Sequence, residues 1–295
     1  MDNKDAFCGC HPLVNLAFFA VVIGFSMFLT HPVALGVSLC GALCFFIKLR
    51  GVRSAGFILK LALPVALITS VINVLFNHRG ETVLARFPNG SPITLESLLY
   101  GLSAAVMMAS VLIWFGCFSD VMTSEKIMYL FGGTLPTLSL ILSMTLRFIP
   151  RFREEFERVR EARLCMGKPV PSAPREKLRE AYECFSAMTT RSLEGSADTA
   201  DSMKSRGFGL RGRTSFAIYR ITPRDIGLLV WLGACAAFLI VGVANGCFAW
   251  ELFPTVGGEL LSSPLSAAVF AVYLAAALTP LWVDILEVRQ WRSSR

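Results

Sequence analysis

The sequence predicts an all-α polytopic membrane protein with about six transmembrane helices and one long, charged helical insert. Three observations lead there. The chain is 54% hydrophobic, with a mean hydropathy of +0.59. Only 17% of its residues are charged, against roughly 25% in soluble domains. The apolar residues are bunched into runs of membrane-spanning length and are not spaced for an amphipathic surface. The organisation that follows is spans one to four in residues 1–119, the insert in residues 120–222, and spans five and six with a basic tail in residues 223–295.

The net charge of +7 is not read as a nucleic-acid signal. The excess Lys and Arg falls in the links expected to face the cytoplasm, as the positive-inside rule requires. The first residues carry Asp2, Lys4 and Asp5, and no small-residue cleavage site follows, so the first apolar run reads as a span and not as a cleavable signal. The nine cysteines are scattered, mostly in spans, and do not form a disulfide framework. Cys8-Gly9-Cys10-His11 is the one local cluster with metal-ligand chemistry, but three candidate ligands beside a chain terminus make a weak site.

Span one is expected over about residues 13–29 and span two over about 33–49, with a tight turn at Thr30-His31-Pro32. Lys48, Arg50, Arg53 and Lys60 surround the next link without an acid, which places it and the N-terminus inside. Span three covers about residues 57–76 and contains Pro64, tolerable where neighbouring helices satisfy the freed carbonyl. Residues 77–96 are external by alternation, with a turn at Pro88-Asn89-Gly90, and span four covers about residues 97–118.

The insert opens with a short interfacial helix over residues 120–133, with Ser124 as its expected cap, broken at Gly132-Gly133. Residues 135–149 are apolar but short for a span, which suits a helix lying against the membrane. After Pro150 a segment charged on nearly every face runs to Arg163. Prolines 169, 171 and 174 break the chain, and a second arm spans Arg175 to Arg206. Its acid-first, base-and-glycine-last order matches the helix dipole and a glycine C-cap. Leu178, Ala181, Tyr182, Phe185 and Met188 give it one apolar stripe. Past Thr189 it turns small and polar, which permits close approach of another helix. A basic link holds Arg211, Arg213, Arg220 and Arg224. Spans five and six are expected over about residues 226–244 and 265–283, with the basic tail inside.

Catalytic signatures are scarce. The phosphate-binding loop, the zinc-protease helix motif and the serine-hydrolase elbow are absent. Asp198 and Asp201, near Glu194, could be read as a cation site, yet a solvated helix face is the better account of them. The spans hold almost no ionisable residues, which argues against a charged substrate path through this chain alone. The arm ends stand out: Ala162-Arg163-Leu164 and Ser205-Arg206-Gly207 each offer an arginine able to make bidentate bonds to a docked protein.

At these residues the sequence resembles a known family. Leu193-Glu194-Gly195-Ser196 through Ser205-Arg206-Gly207-Phe208-Gly209, with Arg213-Thr214 beyond, resembles the signature of the transmembrane (T) component of energy-coupling factor transporters. His11-Pro12-Leu13-Val14-Asn15, Asn73–Gly80, Pro92–Glu96 and Leu146-Arg147-Phe148-Ile149-Pro150 are similar to the same family. The resemblance implies residues 120–222 are a coupling-helix domain in a prokaryotic plasma-membrane scaffold. The scaffold is itself non-catalytic and joins two ABC-type ATPase subunits to a small substrate-binding membrane subunit. ATP would be bound by the partners, with no cofactor in this chain, and the cargo would be a vitamin or a metal ion such as cobalt or nickel.

The family's two arm tips are X-Arg-X motifs, and Arg206 with Ser205 and Gly207 matches the second. The first departs from the usual Ala-Arg-Gly. Ala162-Arg163-Leu164 keeps the arginine and loses the glycine, while Cys165-Met166-Gly167 keeps the glycine and replaces the arginine by methionine. The spacing to Gly167 favours the second alignment, with an apolar contact through Met166, and the role of Arg163 stays open. A different class, a stand-alone membrane carrier or metal-dependent membrane enzyme built on Asp198 and Asp201, is the alternative.

Overall fold

A computed structural model describes residues 7–51, 56–77, 80–86, 92–132, 136–167, 173–208, 219–248, 250 and 264–293. It divides into two compact units, Met1–Ile127 with Tyr219–Arg295, and Met128–Ile218.

The first unit is a bundle around its longest helix. It contains α1 (Pro12–Phe28), α2 (Pro32–Arg50), a π-helical turn (Ile58–Ala62) leading into α3 (Leu63–Phe76), and α4 (Leu95–Val121). The short α5 (Ser124–Gly132) leads out of this unit, and α8 (Pro223–Ala244), α9 (Pro264–Ala277) and α10 (Thr279–Ser293) complete it. By length and composition α2, α4 and α8 can each cross a membrane, and α9 with α10 makes a fourth crossing if the bent pair is one span. The remaining apolar helices, Pro12–Phe28 and Lys60–Phe76, are shorter. All six expected spans therefore exist as apolar helices, and the sixth is broken by a 54° bend. Pro280 explains the break: it has no N–H to continue the ladder, and its ring disfavours helix in the turn before it. Thr279 Oγ1 donates back to Ala275 O at 3.1 Å across the bend. Pro64 acts in the same way on the third span, where the turn before it widens to the π form.

Both α1 and α2 begin with the same device. His11 and His31 each accept a hydrogen bond at Nδ1 from the backbone two residues on, at 3.2 and 3.3 Å, with proline in the first turn. Trp114 of α4 is fully buried. It meets Phe18 at 5.7 Å and Phe45 at 6.3 Å between ring centroids, so α1, α2 and α4 share one aromatic core. A hydroxyl network joins the same helices: Ser26 Oγ lies 2.8 Å from Ser38 Oγ and 3.0 Å from Ser110 Oγ, and Trp114 Nε1 donates to Ser38 Oγ at 3.2 Å. In a lipid-facing bundle such bonds hold helices where the hydrophobic effect between them is weak. A second cluster, with Leu239, Val269, Phe270 and Tyr273, packs α8 and α9 against the turn between α1 and α2.

Ion pairs gather at one end of this unit. Arg50 donates to Asp120 through Nε (2.5 Å) and Nη2 (2.8 Å), Arg224 Nη1 lies 3.0 Å from Glu287, and Lys48 pairs with Asp284. They tie the ends of α2 and α4 and the start of α8 to one another and to the middle of α10, where the chain departs into α5. Toward the other end, residues 77–96 hold a two-stranded antiparallel hairpin, β1 (Val83–Arg86) and β2 (Pro92–Thr94), with Val83 opposite Thr94 and Arg86 opposite Pro92. The sequence reading anticipated a turn there and no strands. Its Pro88-Asn89-Gly90 turn lies outside the described residues.

The second unit corrects the expected layout of the insert. Of the segments 135–149 and 151–163, the described residues from Pro136 on do not form separate helices. They belong to one 30-residue helix, α6 (Pro136–Cys165), which carries Pro150 inside it. A proline frees one carbonyl four residues back and leaves the rest of the ladder intact, so it need not end a helix with good formers on both sides. The second arm is α7 (Pro174–Ser205), 32 residues. The short helix ahead of them begins at Ser124, and Thr123 O accepts its first turn bond from Ile127 N at 3.1 Å, so Ser124 is the first helical residue and not the cap.

Candidate functional site

The two arms pack antiparallel. Arg163 of α6 pairs with Glu183 of α7 at 2.7 Å, and Glu155 pairs with Arg191 at 2.6 Å. Moving eight residues back along α6 moves the partner eight residues forward along α7, which fixes a constant register. Arg160 adds a contact to Glu180 at 3.4 Å. The stripe expected on α7 splits in two. Cys184 is buried against Arg163 (Nη1 to Sγ, 3.6 Å), and Met188 turns toward α6. Leu178, Tyr182, Phe185 and Leu193 point away and are 66–73% exposed. A groove of about 340 Å³ lies between the arms, where small residues of α7 (Ser192, Gly195, Thr199 and Ala200) oppose Phe148 and Phe152 of α6. Those two rings stack at 5.7 Å.

The arm ends share one backbone geometry. At the end of α7, Arg206 N donates to Ser202 O (3.3 Å), Gly207 N to Lys204 O (2.9 Å) and Phe208 N to Met203 O (3.0 Å). With Gly207 at φ +80° this is a Schellman C-cap. At the end of α6, Met166 N donates to Ala162 O (3.1 Å) and Gly167 N to Leu164 O (3.0 Å), again with glycine at φ +80°. A β-carbon is disfavoured at that φ, so glycine sets the frame at both ends. In that frame Cys165-Met166-Gly167 matches Ser205-Arg206-Gly207 residue for residue. Met166 stands where Arg206 stands, and both are exposed.

Arg163 does something else. It is a half-buried bracket: Nη2 reaches Glu183, and Nη1 donates to Glu180 O at 3.1 Å. Ala162 and Leu164 lie beside it on the last turn, contributing carbonyls to the cap. The signal that could have shown this in the sequence is Glu180 with Glu183, three apart on the facing arm. The guanidinium of Arg206, by contrast, makes no ion pair among the described residues. By the hairpin register, Cys165 lies opposite residue 181 of α7, and a helical rise of 1.5 Å per residue puts the two tips about 37 Å apart along the hairpin.

The other candidate chemistry does not assemble. Among the described residues no group of three His, Cys, Asp or Glu is placed to share a metal ion. Asp198 and Asp201 are exposed on α7, with Asp201 3.8 Å from Lys204. His11 spends its Nδ1 on capping α1.

A family model described as CbiQ, cobalt transport protein, matches residues 9–216. This chain belongs to the CbiQ family. Curated relatives agree with that placement. The chain is 31% identical over 105 residues to the "Energy-coupling factor transporter transmembrane protein EcfT" of Exiguobacterium sibiricum, covering 35% of this chain and 40% of that protein. It is 29% identical over 104 residues to the protein of the same description in Bacillus subtilis, covering 35% and 39%. The match thus spans about two fifths of the relatives' length. The CbiQ match runs from the N-terminal turn through α7, so it takes in both arm ends.

Proposed function

We propose that this CbiQ-family chain is the non-catalytic transmembrane scaffold of an energy-coupling factor importer, with its hairpin docking two ATPase subunits that bind the ATP. The observation that carries this reading is the pair of matching glycine turns, Gly167 and Gly207 both at φ +80° with the same two preceding cap bonds, about 37 Å apart along one antiparallel hairpin. Two like ends, far apart and rigidly joined, suit two separate protein partners better than one ligand. The Arg206 end offers an exposed planar donor, unpaired among the described residues, for a carboxylate or for backbone carbonyls. The other end offers Met166, a flexible apolar side chain that adapts to an apolar pocket. The two ends differ in this chemistry, which suits two non-identical ATPases.

The exposed face of Leu178, Tyr182, Phe185 and Leu193 supplies an apolar surface for the substrate-binding membrane subunit. Cargo identity then rests with that subunit, within the vitamin or metal-ion class. The ion-paired end of the bundle, where the chain departs for the hairpin, is the cytoplasmic end, which puts both termini inside the cell. The test is affinity purification of the tagged full chain from its native membranes. The expected result is co-purification of two ATPase chains and a small hydrophobic protein, with one ATPase chain lost in Arg206→Glu. Purification of the chain alone, or undiminished ATPase recovery with Arg206→Glu, would count decisively against the reading.

A further inference from the structure

A buried lysine holds the start of α5. Lys126 is 5% exposed. An ammonium has three N–H donors, and its Nζ meets three oxygens: Cys8 O at 2.7 Å, Val121 O at 2.9 Å, and Asn15 Oδ1 at 2.9 Å. The Asn15 amide is oriented so that its Nδ2 donates to Phe7 O at 3.1 Å. The acceptors come from three places: the N-terminal turn, α1, and the last residue of α4. None is a carboxylate. A buried cation without a counter-ion is costly, and here carbonyl dipoles carry it, one of them at the C-terminal end of α4 where the helix dipole is negative. Burial pulls the Lys126 ammonium below its ordinary range.

The N-terminal turn is held from its other side as well. Cys10 N donates to Phe7 O at 3.2 Å, and Phe7, 1% exposed, packs edge-on against Phe18 at 5.2 Å and Phe45 at 5.9 Å. His11 N donates to Asp225 Oδ1 at 3.2 Å, and Asp225 completes the cap of α8 with Thr222. One short turn is thus pinned to α1, α2, α5 and α8. Apolar packing would serve stability as well as a lone buried ammonium does. What a fully satisfied ammonium adds is directional fixing of three segments at one atom.

We propose that Lys126 is an anchoring residue that locks the root of α5 to α1, α4 and the N-terminal turn, so that ATP-driven movement of the hairpin reaches the membrane helices without being absorbed at a slack joint. This rests on the importer reading, because it needs ATP-driven movement to transmit. Lys126 acts by position and touches neither nucleotide nor cargo.

The test uses the full chain co-purified with its ATPases, labelled with N-ethylmaleimide and read cysteine by cysteine by mass spectrometry, with and without ATP plus vanadate. In the wild type, Cys8 and Cys10 are expected to label slowly and equally in both states. In Lys126→Met, ATP plus vanadate is expected to speed their labelling about tenfold over the nucleotide-free rate, as loss of the ammonium's hydrogen bonds frees the joint to open. Cys235 stays protected and ATP hydrolysis stays within about twofold of wild type. A lysine that only stabilised the fold would raise labelling equally with and without nucleotide, and that result overturns the proposal, as does labelling identical to wild type. If Lys126→Met fails to insert, Asn15→Ala removes one acceptor and the Phe7 bond and is expected to show the same nucleotide-dependent rise, whose absence overturns the anchor. If the wild-type chain recovers no ATPase, the importer reading fails, and the transmission proposal is overturned with it. Recovery of the wild-type ATPases is scored first, so a failed importer reading (no ATPase) is told apart from a failed anchor (ATPase present, no nucleotide-dependent rise).

Discussion

Arg163 Nη2 lies 2.7 Å from Glu183 Oε2, and that contact turns the arginine into the hairpin and away from any partner. Its other amino group is spent on Glu180 O. Arg163→Ala should therefore loosen the hairpin and not abolish docking. Two charge-assisted bonds at a half-buried site support about 1–3 kcal/mol of local stability. Hydrogen exchange should speed up over the last turns of α6 and the first turns of α7, while ATPase recovery in affinity purification falls less than with Arg206→Ala. A hairpin whose exchange is unchanged by Arg163→Ala would refute the bracket.

The shared C-cap makes Met166, and not Arg163, the partner of Arg206 in geometry. Charge at that position should then be disruptive where an apolar exchange is not. Met166→Leu is expected to keep both ATPase chains, since volume-conserving apolar swaps cost under about 1.5 kcal/mol. Met166→Glu is expected to lose one of them. Gly167→Ala and Gly207→Ala should each weaken recovery through the backbone, because alanine at positive φ costs roughly 1 kcal/mol or more.

Burial pushes the Cys10 thiol up to about 11 from 9.0. The folded state therefore holds that proton more tightly than the unfolded chain does. The resulting stability is fully present below pH 9 and is lost as pH rises toward 11. Since the thiolate is the nucleophile, alkylation of Cys10 at pH 8 should run about a hundredfold slower than for an ordinary cysteine on thiolate fraction alone. The rate should keep rising with pH up to about 11. Titrating the rate of maleimide addition at Cys10 checks this, and a plateau near pH 9 would contradict it.

A β-carbon built on Gly41 of α2 would lie 2.9 Å from the Ala277 β-carbon of α9, whereas one on Gly24 of α1 meets nothing within 4 Å. Gly41→Ala should destabilise the bundle by about 1–3 kcal/mol through overpacking. Gly24→Ala should leave the melting temperature in detergent unchanged or slightly raised. Equal melting of the two variants would show that α2 and α9 do not approach so closely.

Much of this protein was legible one residue at a time. Six apolar runs each became helical, the sixth as the bent pair α9 and α10, because bilayer-scale hydrophobicity is a local property that survives any packing. Gly207 announced the end of α7, and the prolines at 12, 32, 174, 223 and 264 each begin a helix, since both effects act within one turn. Pro280 and the strands beside Gly90 carried local signals that the hydrophobic pattern masked.

The sequence left the first arm tip with two alignments; the spacing to Gly167 favoured Cys165-Met166-Gly167 but did not say what Arg163 does. The choice needed the facing helix: only when α7 is laid against α6 do Glu180 and Glu183 arrive to claim Arg163 and leave Met166 outside. The split of the α7 stripe and the three oxygens around Lys126 were hidden for the same reason. Helical periodicity says which residues share a face, but which face is covered, and which distant carbonyl completes a buried cation, is set by partners far away in the chain.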